Sequence, residues 1–218
     1  MHFPQIQWPA GRKAKYSPLY DRLAEAGAEF GSYGGWERAD WFPSNDDDRL
    51  AANSYDRQHW FDTVGDECRH VAAHAGIIEL TGFSRFHVTG VGADDWLKTQ
   101  ITGNLPLVGR IGLVYFASPK GKVLSEMTVT RFAENDFLLM TGAGAYWHDR
   151  DLLNASLPKN KSINIADVTR DLATLLVTGP KAPAILAAVM GQTTSTEDFP
   201  WLSHQKVRIA GFEVTAIR

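Results

Sequence analysis

The sequence predicts an α+β protein, with antiparallel sheets and helices. Three observations carry this. Strand-like and helix-like segments alternate irregularly, without the strand–helix–strand rhythm of a parallel sheet. Neighbouring strand-like segments are joined by short turns, such as Ser118-Pro119-Lys120-Gly121 and Ala210-Gly211. The segments between them carry helical spacing over one to four turns only.

The chain has 218 residues, of which 44% are hydrophobic and 22% charged. That is the composition of an ordinary globular protein of one large domain or two small ones. The formal net charge is −3, and Lys and Arg are scattered. Neither nucleic acid nor a membrane surface is expected as a partner. No apolar run approaches the ~20 residues needed to span a bilayer. The single cysteine, Cys68, rules out an internal disulfide framework and fits a reducing compartment. The start of the chain has no charged-then-apolar signal pattern, so a cytoplasmic location is expected.

Taken in order, residues 1–16 lack a clear period, carry Pro4 and Pro9, and read as an extended arm. Ser17-Pro18 reads as an N-cap followed by a helix-starting proline, with Leu19, Leu23 and Ala26 on a short apolar face and Gly27 as the stop. Residues 30–41 read as a Gly-rich loop under an aromatic cluster, and Asn45 to Asp48 as a solvated loop tip. Trp60, Val64, Cys68 and Val71 give helical spacing between His59 and Ala75. His70 and His74 share a face there. Val71 stands where a zinc protease needs Glu, so both read as surface histidines. Strands follow at 76–80 and 83–88, then a helix at 93–100 beyond Gly92.

Gly109 to Phe132 reads as a hairpin. Ile111, Leu113 and Tyr115 alternate with their neighbours on the way in, and Val123, Met127, Val129 and Arg131 on the way out. Pro119 presets one turn dihedral and Gly121 permits a positive φ. Just past the turn stands Glu126, an acid within an apolar strand, which costs free energy unless it is paired or solvated. A strand at 137–141, a helix at 145–157 ended by Pro158, strands at 163–168 and 172–177, a helix at 181–190 and a hairpin closing on Ile217 complete the reading.

Several stretches together resemble the glycine-cleavage T-protein family of folate-binding aminomethyltransferases, most closely the C-terminal half of dimethylglycine and sarcosine dehydrogenases. They are Ser17-Pro18-Leu19-Tyr20-Asp21-Arg22-Leu23, Gly35-Trp36-Glu37-Arg38, Gly76-Ile77-Ile78-Glu79-Leu80, Val88-Thr89-Gly90, Gly121-Lys122-Val123-Leu124-Ser125-Glu126 and Val177-Thr178-Gly179-Pro180. The matches run in order over nearly the whole chain.

The resemblance implies the first two lobes of a three-lobed cloverleaf around a folate cavity. Residues 1–80 with 170–218 would form the first lobe and 81–169 the second. The third lobe would lie beyond Arg218, in a continuation of the chain or in a complementary chain. The resemblance also implies one-carbon transfer from a small methylated amine, or a related methyl donor, to tetrahydrofolate. The FAD domain of the dehydrogenases is not part of this chain.

Glu126 stands where the family has a catalytic carboxylate, usually Asp. A partly buried acid there with a raised pKa would accept the proton lost by the attacking amine. Tyr115 and Met127 are expected to line a pterin pocket, Asn104 to mark a binding turn, and Arg131 to meet a folate carboxylate. The alternative is a non-catalytic or split-enzyme subunit, as a homo-oligomer or with another chain. Ala117 in place of the family's Asn and Glu126 in place of its Asp motivate that reading.

Overall fold

The computed structural model describes residues 7–51, 53–160 and 162–218. The first six residues of the expected arm lie outside this range. The chain divides into two compact units, residues 1–82 with 172–182 and residues 83–171 with 183–218.

In the first unit Pro9–Gly11 makes one 3-10 turn, and Lys15 bridges to Trp36 in parallel. The helix expected after Ser17-Pro18 is α1 (Tyr20–Glu25). Ser17 is not its N-cap: Leu19 holds that position without a side-chain cap bond, and the Ser17 hydroxyl accepts from the Leu19 N–H at 3.2 Å in the turn before the helix. The expected Gly-rich loop is instead a hairpin of β1 (Glu29–Tyr33) and β2 (Trp36–Trp41). Gly34 and Gly35 have φ of +60° and +83°, the doubly left-handed turn that matches strand twist. Acidic and basic residues in β2 hide its alternation. The Asn45–Asp48 tip also differs: Asn45 caps a short helix, α2 (Asp46–Leu50), accepting from the Asp48 N–H at 2.8 Å. Helix α3 (Phe61–Ala73) and strand β3 (Gly76–Glu79) fall where their spacing put them, and β3 pairs antiparallel with Leu175–Thr178.

The second unit is built on a six-stranded antiparallel sheet. Its strands are β4 (Ser84–Thr89), β5 (Ile101–Thr102), β6 (Ile111–Ala117), β7 (Val123–Ala133), β8 (Asp136–Thr141) and β9 (Asn164–Asp167), in the order β5-β6-β7-β8-β4-β9. Helices α4 (Ala93–Gln100) and α5 (Tyr146–Ala155) supply Ala93, Trp96, Leu97 and Leu153 to a core shared with Phe86, Val88, Val114, Phe116, Met127, Val129, Phe137 and Leu139. Burying side chains of this size stabilises by about 1.5–3 kcal/mol each, so this core fixes the sheet's inner face. After β10 (Leu175–Thr178) come α6 (Ala182–Met190) and the hairpin β11 (His204–Ile209) and β12 (Phe212–Ile217).

The sequence-based division put residues 183–218 with the chain's beginning. Their contacts lie instead with residues 83–171: Arg110 bridges to Ser203, the Ile111 N–H donates to the Leu202 carbonyl at 2.9 Å, and His204 meets the Phe132 ring edge-on at 4.9 Å. No helix among the described residues is long and apolar enough to cross a membrane.

Candidate active site

Strands β6 and β7 pair in the register Val114 to Met127 and Tyr115 to Glu126. Alternation then decides which side chain faces what. Val114, Phe116, Met127 and Val129 point into the core. Leu113, Tyr115, Glu126 and Thr128 take the other face. Of the alternating set on β6, Ile111 is buried while Leu113 and Tyr115 turn away from the core. Leu113 and Tyr115 are 54% and 39% exposed, and Val114 and Phe116 are buried. Both parities of this strand are apolar, so spacing alone did not choose between them. On β7 a register shift between Phe116 and Ala117 sets Ala117 opposite Val123, and Val123 is exposed rather than in line with Met127.

Glu126 is exposed, not partly buried as expected. Its partner is Tyr115, directly opposite. The phenol is pushed above its ordinary value first by a hydrogen bond to the Glu126 carboxylate, then by that carboxylate's charge. Thr102 pairs with Tyr115 from the other side and donates its hydroxyl to the Tyr115 carbonyl at 3.4 Å. Thr128 pairs with both Leu113 and Met140. The result is an open, mixed face: one carboxylate, one phenol donor, and apolar side chains beside them. Glu126 stands directly opposite Tyr115 and, being exposed, keeps lone pairs for a ligand N–H or a transferred proton.

The remaining expected site residues do not join this face. Met127 is 1% exposed and packs in the core on the opposite side of β7, because its parity is that of Val129. Arg131 is no free cation. Its guanidinium pairs with Asp94 at 2.7 Å and donates to the carbonyls of Pro106, Ala133 and Glu134. Asn104 is exposed on the loop after β5, two residues beyond Thr102.

Two buried acids went unread in the sequence. Glu37 on β2 is 2% exposed and takes a fork of bonds from Arg12, at 3.0 and 2.5 Å, and another from the Lys13 N–H at 2.6 Å. Asp149 on α5 is fully buried, accepting the Thr141 hydroxyl at 2.7 Å with the His148 ring nitrogen at 2.9 Å. A signal existed for Asp149. Tyr146, Asp149 and Leu153 fall at i, i+3 and i+7, so the acid sits on the helix's inward stripe.

Comparison with known proteins follows the same lines. The family described as "GCVT N-terminal domain" matches residues 19–218. Mitochondrial dimethylglycine dehydrogenase from Rattus norvegicus is 31% identical over 218 residues, covering 99% of this chain and 25% of that protein. The chain thus spans about a quarter of the length of the curated relatives it matches. Among solved structures, glycine cleavage system aminomethyltransferase T from Bartonella henselae superposes with a TM-score of 0.68 at 23% identity, over 90% of this chain and 48% of that one. Heterotetrameric sarcosine oxidase from Corynebacterium sp. U-96 superposes with a TM-score of 0.51 at 16% identity, over 76% of this chain and 82% of that one. Both structural likenesses bear out the antiparallel α+β fold.

Proposed function

This chain belongs to the GCVT N-terminal domain family, and from that premise we propose that it takes part in transferring a one-carbon unit from a methylated amine or iminium to tetrahydrofolate. The observation that carries the reading is Glu126, set beside Tyr115 on an open sheet face, in the stretch where the family resemblance puts a carboxylate. The donor set fits the group. A carboxylate and a phenol suit the N–H edges of a pterin, and Leu113 and Met140 lie along the same face for its ring.

Tetrahydrofolate, when bound, supplies a secondary amine as nucleophile. Glu126 would accept the proton from that amine and pass it to the donor nitrogen, which would leave as the free amine. Tyr115, the cross-strand neighbour of Glu126, would lie beside the same ligand edge. On this reading a covering segment, from a continuation of the chain or from a partner, would exclude water from the open face.

The test is calorimetric titration of tetrahydrofolate into this chain and into Glu126→Ala. Binding that weakens in the variant supports the reading. No binding to either protein at millimolar ligand removes it for this chain alone.

A second reading is a non-catalytic or split-enzyme subunit, completed by a complementary chain or by a second copy. The observation in its favour is the exposure of Leu113, Val123 and Leu124 around Glu126. A mass measurement in solution separates the two: a stable complex favours the split enzyme, and an inert monomer that ignores folate favours a degenerate fold. A cytoplasmic location belongs to either reading.

A further inference from the structure

His70 lies in the last turn of α3 and His74 is its C-cap, with φ −133° and ψ −108°; their rings lie nearly parallel, with centroids 4.7 Å apart and planes 14° from parallel. Both side chains are exposed. We propose that this pair is a two-histidine chelate for a first-row divalent transition metal, with copper(II) favoured over nickel(II) and zinc(II).

The spacing is the first reason. Residues four apart stand one above the other on a helix, so both imidazoles share one side. One metal ion then takes a nitrogen from each, and water fills its other positions. The choice of metal follows from the donors. Imidazole suits copper, nickel and zinc, and copper leads in affinity. Hard ions such as magnesium and calcium want oxygen and are not expected here.

Rigidity is the second reason. The His74 N–H donates to the His70 carbonyl at 2.8 Å, so the turn between the ligands is closed. The His74 carbonyl accepts from the Lys181 N–H, also at 2.8 Å. Gly179, at φ +105°, brings its backbone against the same helix end, where a Cβ would stand 2.6 Å from the Val71 and His74 carbonyl oxygens. The helix end is thus pinned by residues 179–181 of its own unit. The backbone that carries the pair is fixed, and the two exposed rings turn out of their parallel arrangement so that one nitrogen of each meets the ion. The helix C-terminus also carries partial negative charge, which favours a cation there.

The neighbouring side chains bound the site. Asp66, one turn earlier, is engaged by Arg69. Cys68 is two positions from His70, about 200° around the helix, and so faces elsewhere. Among the described residues no third His, Cys, Asp or Glu joins to form a three-ligand group. The expected affinity is therefore that of a bidentate surface site, weaker than a structural zinc centre.

The test is titration of copper(II) and of nickel(II) into the intact chain at about pH 7.5, where free imidazole is mostly neutral. Binding is read by calorimetry, and the ligands by paramagnetic broadening of the histidine ring resonances. One equivalent should bind, with the rings of His70 and His74 broadened first. His70→Ala and His74→Ala should each lower affinity by about tenfold or more, since the second imidazole acts as an intramolecular ligand. Cys68→Ser should leave it unchanged. Circular dichroism of each variant verifies that α3 persists, and moving the second histidine to Ala73→His in a His74→Ala background, at i and i+3, should restore part of the affinity. Broadening that starts at another histidine, or affinity within twofold of the parent in His70→Ala, overturns the proposal.

Discussion

Tyr115 and Glu126 face each other directly across β6 and β7, on the side of the sheet turned away from the core. The contact raises the phenol above the ordinary tyrosine value, by the hydrogen bond first and the carboxylate's charge second. Glu126→Gln removes the charge and weakens the acceptor, so the Tyr115 transition should move to lower pH. Ultraviolet or NMR titration of the phenol measures it directly. The linked stability has a definite sign. Below the ordinary tyrosine range the phenol is neutral in both folded and unfolded chains, and the contribution is whole. It is lost as pH rises through the raised folded value. Tyr115→Phe should abolish that alkaline loss and leave the neutral-pH fold intact. An unmoved Tyr115 transition in Glu126→Gln would show that the two groups do not interact.

Arg131 behaves as a clamp. Its side chain is 12% exposed, pairs with Asp94, and lies 5.2 Å over the Phe137 ring. Its three nitrogens reach three carbonyls and the Asp94 carboxylate at once, four acceptors where an ammonium has three N–H donors on one atom. Arg131→Ala should cost about 2–4 kcal/mol, from the three carbonyls left without their donor and from Asp94 left with Lys98 alone. Arg131→Lys should recover little. The readout is the urea midpoint. A loss below about 0.5 kcal/mol, within the ordinary range for surface substitutions, would return Arg131 to the pool of free ligand-binding cations.

How far the sequence led depended on how local each signal was. The Pro-Lys-Gly turn before β7, the N-terminal start of α4 after Gly92, and the Ala210-Gly211 hairpin are short-range chemistry, and all appear where spacing put them. The β1–β2 hairpin was missed because Glu37, Arg38 and Asp40 broke the apolar alternation of β2. Only the structure explains Glu37, whose partner Arg12 is 25 residues away. At the candidate site the residue type and strand of Glu126 were legible. Which face it took was not, because Leu113-Val114-Tyr115-Phe116 is apolar at every step, and a one-residue register choice exchanges the two faces.

Glu37 makes the first unit sensitive to acid. Its side chain is fully buried, while Arg12 reaches the surface at 27% exposure. The Arg12 hydrogen bond, foremost, holds the carboxyl below the ordinary glutamate value, against the opposing effect of burial. The stabilisation is present above the ordinary glutamate range and is lost as pH falls through the lowered folded value. Glu37→Gln should remove that acid-linked loss and cost about 2–4 kcal/mol at neutral pH, since Arg12 loses its counter-charge. Denaturation midpoints against pH for both proteins should converge at low pH. Parallel curves would mean that Glu37 titrates alike folded and unfolded.

Met127 separates the core from the open face of β7. It lies at 1% exposure between Val114 and Val129 in the cluster that α4 and α5 cover. A ligand on the Glu126 side cannot touch its side chain, because successive residues of a strand point to opposite faces. Met127→Ala should therefore destabilise by about 2–5 kcal/mol, through lost transfer energy and a cavity. Met127→Leu, which nearly conserves volume, should cost less than about 1.5 kcal/mol. Tetrahydrofolate titrated into folded Met127→Leu should bind as it does to the parent chain. A large affinity change with an unchanged urea midpoint would mean that Met127 meets the ligand, and that the two faces of β7 are assigned the wrong way round.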